Sequence, residues 1–239
     1  MPVIKEKQKF KTGVIKGIKA AIPIAIGYIP IAIAFGVISV QSGVSVIQAT
    51  SMSLMVFAGA SQFMAIRMID SGASAYEIIL AALILNLRHF IMSASIIQRF
   101  RGLSRTTASA LAFGITDETF AVLSMREEND NPQEEKYFAG SLIFTSYASW
   151  VVGTFIGGVF ADVIPQSISA SMSIGLYAMF IGLLVPAARK SWRIAIVSVA
   201  GMALSWIFSR FMDTGWAIVF ATILAALIGV NKNEQCECE

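Results

Sequence analysis

Eight apolar runs, each close to bilayer thickness in length, follow one another through this chain with only short polar breaks between them. They cover residues 18–40, 46–69, 76–97, 107–125, 137–160, 168–188, 194–211 and 214–230. A helix needs about 20 mostly apolar residues to cross roughly 30 Å of hydrocarbon. The runs are apolar on every face, without the ten-residue alternation of a spanning β-strand, which excludes a barrel. The expected fold class is therefore an all-α membrane protein, a polytopic transmembrane helix bundle with seven to eight apolar segments. Composition agrees: 56% hydrophobic residues, 14% charged and a mean hydropathy of +0.71 fit no ordinary soluble class. Residues 1–17 form a basic leader, 18–230 the integral membrane domain and 231–239 a polar tail.

Orientation is written in the basic residues. Lys5, Lys7, Lys9, Lys11, Lys16 and Lys19 precede or open the first run against a single Glu6, which places the N-terminus in the cytoplasm. That run is long enough to span and is read as uncleaved. Eight straight crossings put the tail in the cytoplasm too, but leave the loop carrying Arg99, Arg101 and Arg105 outside. The loop returns to the cytoplasm if the second and fourth segments are re-entrant or broken. Both have helix-breaking or polar centres, FAGASQF from Phe57 to Phe63 and FGITDETF from Phe113 to Phe120. Such breaks at membrane depth are tolerated only against protein or a water-filled cavity. Eight simple spans are the default, with the broken arrangement as the alternative. The acidic stretch MREENDNPQEEK, residues 125–136, reads as a solvated linker.

The chemistry-bearing residues lie inside the apolar runs. LILNLRHF puts Asn86, Arg88 and His89 in the middle of the third run, where an unpaired charge costs at least ~2.5–3.5 kcal/mol. Arg88 can hold a carboxylate in a bidentate fork or pair with an intramembrane acid, and His89 can relay a proton. Both also have bland readings, a structural arginine on broken-helix carbonyls and a satisfied histidine. Adjacent helical residues point about 100° apart, so the two are expected to serve neighbouring faces. Asn86 would hydrate the same region.

The fourth run supplies Asp117 and Glu118 between Thr116 and Thr119. One acid can pair with Arg88 while the other receives a substrate ammonium or a coupling proton; alternatively, Thr116 or Asp117 simply caps a helix. In the second run, Gly59, Ser61 and Gln62 offer either tight helix packing or a substrate cradle with freed N–H groups. Gly153, Gly157 and Gly158 make a small-residue face suited to a neighbouring helix or a second subunit. Trp150, Trp192, Trp206 and Trp216 are read as packing or interface anchors. Cys236 and Cys238 lie in the tail with no histidine near them, so no metal site or cofactor is expected.

Taken in order, Pro23, Pro30, Phe35 and Gly36, then FAGASQF, NLRH and TDE-x-F, resemble the AzlC family of branched-chain amino acid exporters. The motifs span about residues 15–160, and hydropathy alone extends the likeness beyond them. The resemblance implies the large subunit of a two-component exporter in the cell membrane, moving valine, leucine, isoleucine and similar amino acids, with methionine a further candidate. It also implies a small hydrophobic AzlD-type membrane partner. An aliphatic zwitterion needs a cation or N–H cluster, an acid or carbonyls, and an apolar wall, and the first four runs contain all three. No nucleotide-binding P-loop is present, so proton coupling through His89, Asp117 or Glu118 is the expected drive. Two other classes remain open: a membrane-embedded enzyme using His89, Asp117 and Glu118, which lacks a G-x-S-x-G elbow, and a non-transporting assembly subunit. The scattered basic residues make no nucleic-acid surface.

Overall fold

The computed structural model describes residues 2–96, 100, 103–126, 132–165, 191–212 and 214–229, with isolated positions between 166 and 190. Among these residues every regular element is a helix: α1 (Pro2–Gln41), α2 (Val46–Met55), α3 (Gly59–Asp70), α4 (Ala75–Ile96), α5 (Arg105–Phe113), α6 (Asp117–Met125), α7 (Pro132–Val159), α8 (Trp192–Phe208) and α9 (Thr214–Gly229). Stretches of α1, α4 and α7 are long and apolar enough to cross a membrane. Most of the sixth apolar run, Lys190 and the tail with Cys236 and Cys238 lie outside the described residues.

The scaffold is the seam between α1 and α7, which run side by side in the same direction. Phe10 meets Tyr137 at one end, Tyr28 meets Trp150 midway, and Gly36 faces Thr154 and Gly157 at the other. Small residues let the backbones approach. A Cβ on Gly157 would run into the backbone of Ile33, and one on Gly153 would come within 2.7 Å of Ala32 Cβ. Dispersion between closely packed helices, rather than water exclusion, is what holds such a seam together in lipid. The small-residue face of α7 is thus used within the chain, on α1, while Gly158 abuts Val46 of α2.

The second and fourth apolar runs are not straight spans. Each is two half-helices with a three-residue break, at 56–58 and at 114–116. Along α7, α2 descends from Val46 beside Gly158, through Ser53 on Thr154, to Leu54 on Tyr147. After the break α3 climbs back: Phe57 packs on Tyr28, but Phe63 packs on Phe35, about two turns further along α1, and Gln62 returns to bond Ser53. The other pair is its inverse. From Thr107 beside Tyr137, α5 rises to Phe113 on Tyr147, and α6 returns from Thr116 on Tyr28 to Arg126 on Glu135. Between the hairpins α4 passes Ser61 at Asn86, Asp117 at Arg88 and Ala112 at Ser93. Two hairpins therefore enter the bundle from opposite ends and meet near its middle.

Local chemistry explains the breaks. Hairpin entries are fixed by N-caps at Ser45, with a full capping box to Gln48, and at Ser104. A second capping box, Thr116 with Thr119, restarts the chain as α6. Backbone carbonyls at and beside the breaks find side-chain donors: Tyr147 donates to Leu54 O, and in the interior Ser61 donates to Ala58 O and Thr119 to Gly114 O.

The acidic stretch read as a solvated linker is also corrected in part. Glu134 and Glu135 are in the first turn of α7. Glu135 is buried against Arg126, Nη1 to Oε2 3.3 Å, while that guanidinium lies 3.8 Å over the Phe138 ring. Glu134 holds Lys16 of α1 at 2.9 Å. The linker reading failed because burial of these acids depends on α6 and α1 arriving at the start of α7. On the other side, α8 and α9 pack on each other, and α9 reaches α4 through Tyr76 and Trp216. Trp192 and Trp206 are exposed on α8, consistent with interface anchors.

Candidate functional site

The hairpin tips enclose a cavity of about 30 Å³ lined by Tyr28, Phe57–Ala60, Arg88, His89, Thr116–Glu118 and Trp150. That is room for one or two water molecules and no more. The N-termini of α3 and α6 both open onto it. They differ chemically. The α6 terminus is closed by the Thr116–Thr119 box and carries two acids in its first turn, whereas α3 begins at Ala58 with no side-chain cap. The partial positive charge of a helix N-terminus is therefore offset by carboxylates at α6 and presented to the cavity at α3.

Two charged groups are held by different means. Arg88 Nη1 meets Asp117 Oδ2 at 2.8 Å, joining α4 to α6. Glu118 is approached by a neutral donor instead: the Tyr28 hydroxyl donates to its Oε2 at 2.5 Å. Because that proton is committed, the 2.8 Å contact between Tyr28 and Thr116 must use the threonine as donor. Glu118 Oε1 is buried with no hydrogen-bond partner among the described residues. His89 lines the same cavity as Arg88. Adjacent on α4 and pointing to neighbouring faces, the two side chains line one cavity.

Ser61, Gln62 and Asn86 stand behind the cavity rather than on it. Gln62 is fully buried; its Oε1 accepts from Trp150 Nε1 at 2.9 Å and its Nε2 donates to Ser53 Oγ at 2.9 Å, which in turn contacts Thr154 Oγ1. Asn86 donates to Ser61 Oγ at 3.1 Å. This chain of polar groups locks the α3 tip to α2, α4 and α7. Gly59 has a packing reason of its own, since a Cβ there would lie 2.6 Å from the Trp150 indole. Thr116 caps α6, and that helix carries Asp117, paired with Arg88, and Glu118 into the cavity.

Tyr28, Trp150 and Phe57 were missed as site residues. The signal for Tyr28 was present, a hydroxyl between Pro23 and Pro30 in an otherwise apolar run. Trp150 was read as a packing residue; its ring is buried, but its N–H sets the orientation of Gln62. Among the described residues no cluster of metal-ligating side chains occurs.

Two inverse hairpins of broken helix meeting at a small cavity give an arrangement also found in helical membrane proteins built from discontinuous helices. The chain belongs to the AzlC family: it matches the family described as AzlC protein over residues 23–164, which takes in both breaks and every cavity residue. It is 34% identical over 215 residues to an uncharacterized membrane protein of Archaeoglobus fulgidus, covering 89% of this chain and 92% of that one. Identity to the inner membrane protein YgaZ of Escherichia coli is 28% over 195 residues, 80% of each chain. The branched-chain amino acid transport protein AzlC of Bacillus subtilis is 25% identical over 206 residues, covering 86% of this chain and 79% of the relative. No solved structure matches the chain. Family and relatives support a role in membrane transport.

Proposed function

We propose that this protein is the large subunit of a secondary transporter that exports branched-chain amino acids, valine, leucine, isoleucine and with them methionine, together with a small AzlD-type membrane partner. The observation that carries this reading is the cavity itself, where an uncapped helix N-terminus, an Arg–Asp pair and a Tyr-held glutamate converge at the tips of two hairpins. The cavity as it stands has room only for water, but a zwitterion matches the chemistry of that set once the hairpins part: its carboxylate goes to the α3 terminus and Arg88, its ammonium to Glu118, and its side chain to Phe57 and Trp150. For the carboxylate to reach Arg88 it must compete with Asp117, so loading loosens the α4–α6 link and connects binding to hairpin movement. Protons drive the cycle through Glu118, Asp117 or His89. A similarity to a branched-chain amino acid transport protein supports the substrate class.

In the membrane the hairpins are re-entrant, one from each side. The N-terminus, Arg105 and Arg126 then share the cytoplasmic side, an assignment that the distribution of basic residues supports; the tail is assigned to the same side. The cavity is lined by two hairpin tips and by mid-helix residues of α1, α4 and α7, and the similarity to a branched-chain amino acid transport protein supports transport over the enzyme reading. The test is leucine efflux from cells expressing this chain with its partner, against each protein alone. Efflux only from the pair supports the proposal; no efflux of any branched-chain amino acid from the pair refutes it.

A further inference from the structure

Beside the polar cavity lies a much larger space, a cleft of about 590 Å³ between α5 and α7 whose wall is almost wholly apolar. One end is formed by Val14, Thr107, Lys136 and Tyr137, at the level where α1 carries its lysines; the other ends at Phe113, Gly114 and Tyr147. From Lys136 to Tyr147 the cleft follows α7 for about 16 Å, at 1.5 Å per residue. Its inner end abuts the cavity. The Tyr147 ring is edge-on to Phe113 at 6.2 Å on the cleft side and to Phe57 at 5.4 Å on the cavity side. Tyr147 is also the residue that donates to Leu54 O, at 2.8 Å, at the end of α2. Two rings in edge contact, Tyr147 on the cleft wall and Phe57 on the cavity wall, thus stand between the two spaces, and Tyr147 is tied to the hairpin that bears the α3 tip.

We propose that this cleft is the vestibule through which an aliphatic amino acid enters the cavity from the side of the N-terminal lysines, with Tyr147 as the door. This rests on the transport reading above and adds the route. The volume lies in the range of small-molecule pockets, and an apolar wall suits an aliphatic side chain. Lys136 at the mouth offers a cation to the carboxylate. Movement of the α2–α3 hairpin would break the Tyr147–Leu54 bond and swing the door, so opening of the route and reshaping of the α3 tip are one event.

Two glycines make a clean test. Gly140 lines the cleft, and a Cβ there meets nothing within 4 Å; Gly27, exposed on α1, is equally open but lies away from the cleft. Gly140→Trp should fill the vestibule without disturbing the fold, cutting leucine efflux by tenfold or more at normal abundance and with the partner still co-purifying. Gly27→Trp should keep efflux within twofold of wild type. In a Cys236→Ser/Cys238→Ser background, Gly140→Cys should react with a membrane-impermeant thiosulfonate in inside-out vesicles, and saturating leucine should slow that reaction. Wild-type efflux from Gly140→Trp overturns the proposal, as does a Gly140→Cys thiol that only lipid-soluble reagents reach, which would make the cleft a lipid seat. Loss of the partner from Gly140→Trp also overturns it, making the cleft the partner's docking groove. Failure of the transport reading is separate: the unsubstituted pair would then show no efflux at all.

Discussion

Removing one hydroxyl, that of Tyr28, should expose how much of the site depends on a residue that carries no charge. Tyr28→Phe keeps the ring and its edge contacts with Phe57 at 6.0 Å and Trp150 at 5.4 Å. It deletes the bond donated to Glu118 Oε2 and the one received from Thr116. A hydrogen bond to a charged group contributes about 1.5–3 kcal/mol, and a neutral one about 1 kcal/mol. Thr116 still receives the Thr119 N–H, so its loss is the smaller part. Glu118 fares worse, because Oε1 already lacks a partner and Oε2 would join it. If the charged form of Glu118 is needed in the cycle, ~1.5–3 kcal/mol corresponds to roughly a 10- to 150-fold loss of efflux. The assay is labelled-leucine efflux normalised to membrane abundance, with thermal unfolding of the purified pair as a second reading. Wild-type efflux together with an unchanged unfolding temperature would refute the assignment of Tyr28 as the donor that holds Glu118.

Other consequences follow from the same geometry. Arg88→Ala should lower folded protein by less than the ~3–5 kcal/mol of a fully buried pair, since Arg88 and Asp117 keep 31% and 23% side-chain exposure; Arg88→Ala/Asp117→Ala should recover abundance but not efflux, as read by quantitative blotting beside transport. Asp117→Asn and Glu118→Gln should differ in kind, the first losing abundance and the second losing efflux at normal abundance; equal losses in both assays would contradict their separate partners. Gly157→Val should abolish folded protein by forcing the α1–α7 seam apart, a cost above the ~1–3 kcal/mol of ordinary overpacking because the obstacle is Ile33 backbone; normal yield would show the seam is not as drawn. Cysteines at Ser42 and Ser74 should both label from outside the cell and one at Arg105 should not, whereas straight crossings would put Ser74 inside.

Much of the site was legible because expensive residues advertise themselves. Charges at Arg88, Asp117 and Glu118 inside apolar runs required partners, and the structure supplies them. Both helix breaks were legible from Gly59 and from the Gly114–Thr116 stretch, where local chemistry is decisive. The directions of the half-helices were left open between straight spans and a return, because the basic loop carrying Arg99, Arg101 and Arg105 hinted at a return but nothing local tells a chain leaving a break whether to go on or turn back; the α1–α7 seam and the Gln62–Ser53 bond decide that. For the same reason neither reading of Gln62 foresaw its bonds to Trp150 and Ser53, and Glu135 read as solvated and proved buried. Tyr28 was hidden by its own amphipathic nature, a ring that suits the apolar run and a hydroxyl whose partners lie some 90 residues away.

The central claim is that an amino acid is carried through the cavity at the hairpin tips, with Arg88 holding its carboxylate as a planar fork. Counterflow of labelled leucine into proteoliposomes loaded with unlabelled leucine and containing both subunits tests it most directly, because counterflow needs only binding and hairpin exchange. The account predicts uptake by the wild-type pair and loss of most of it in Arg88→Lys, since an ammonium cannot engage two oxygens in the fork's geometry. Wild-type rate and affinity for Arg88→Lys, in liposomes where the wild-type pair is active, would contradict it.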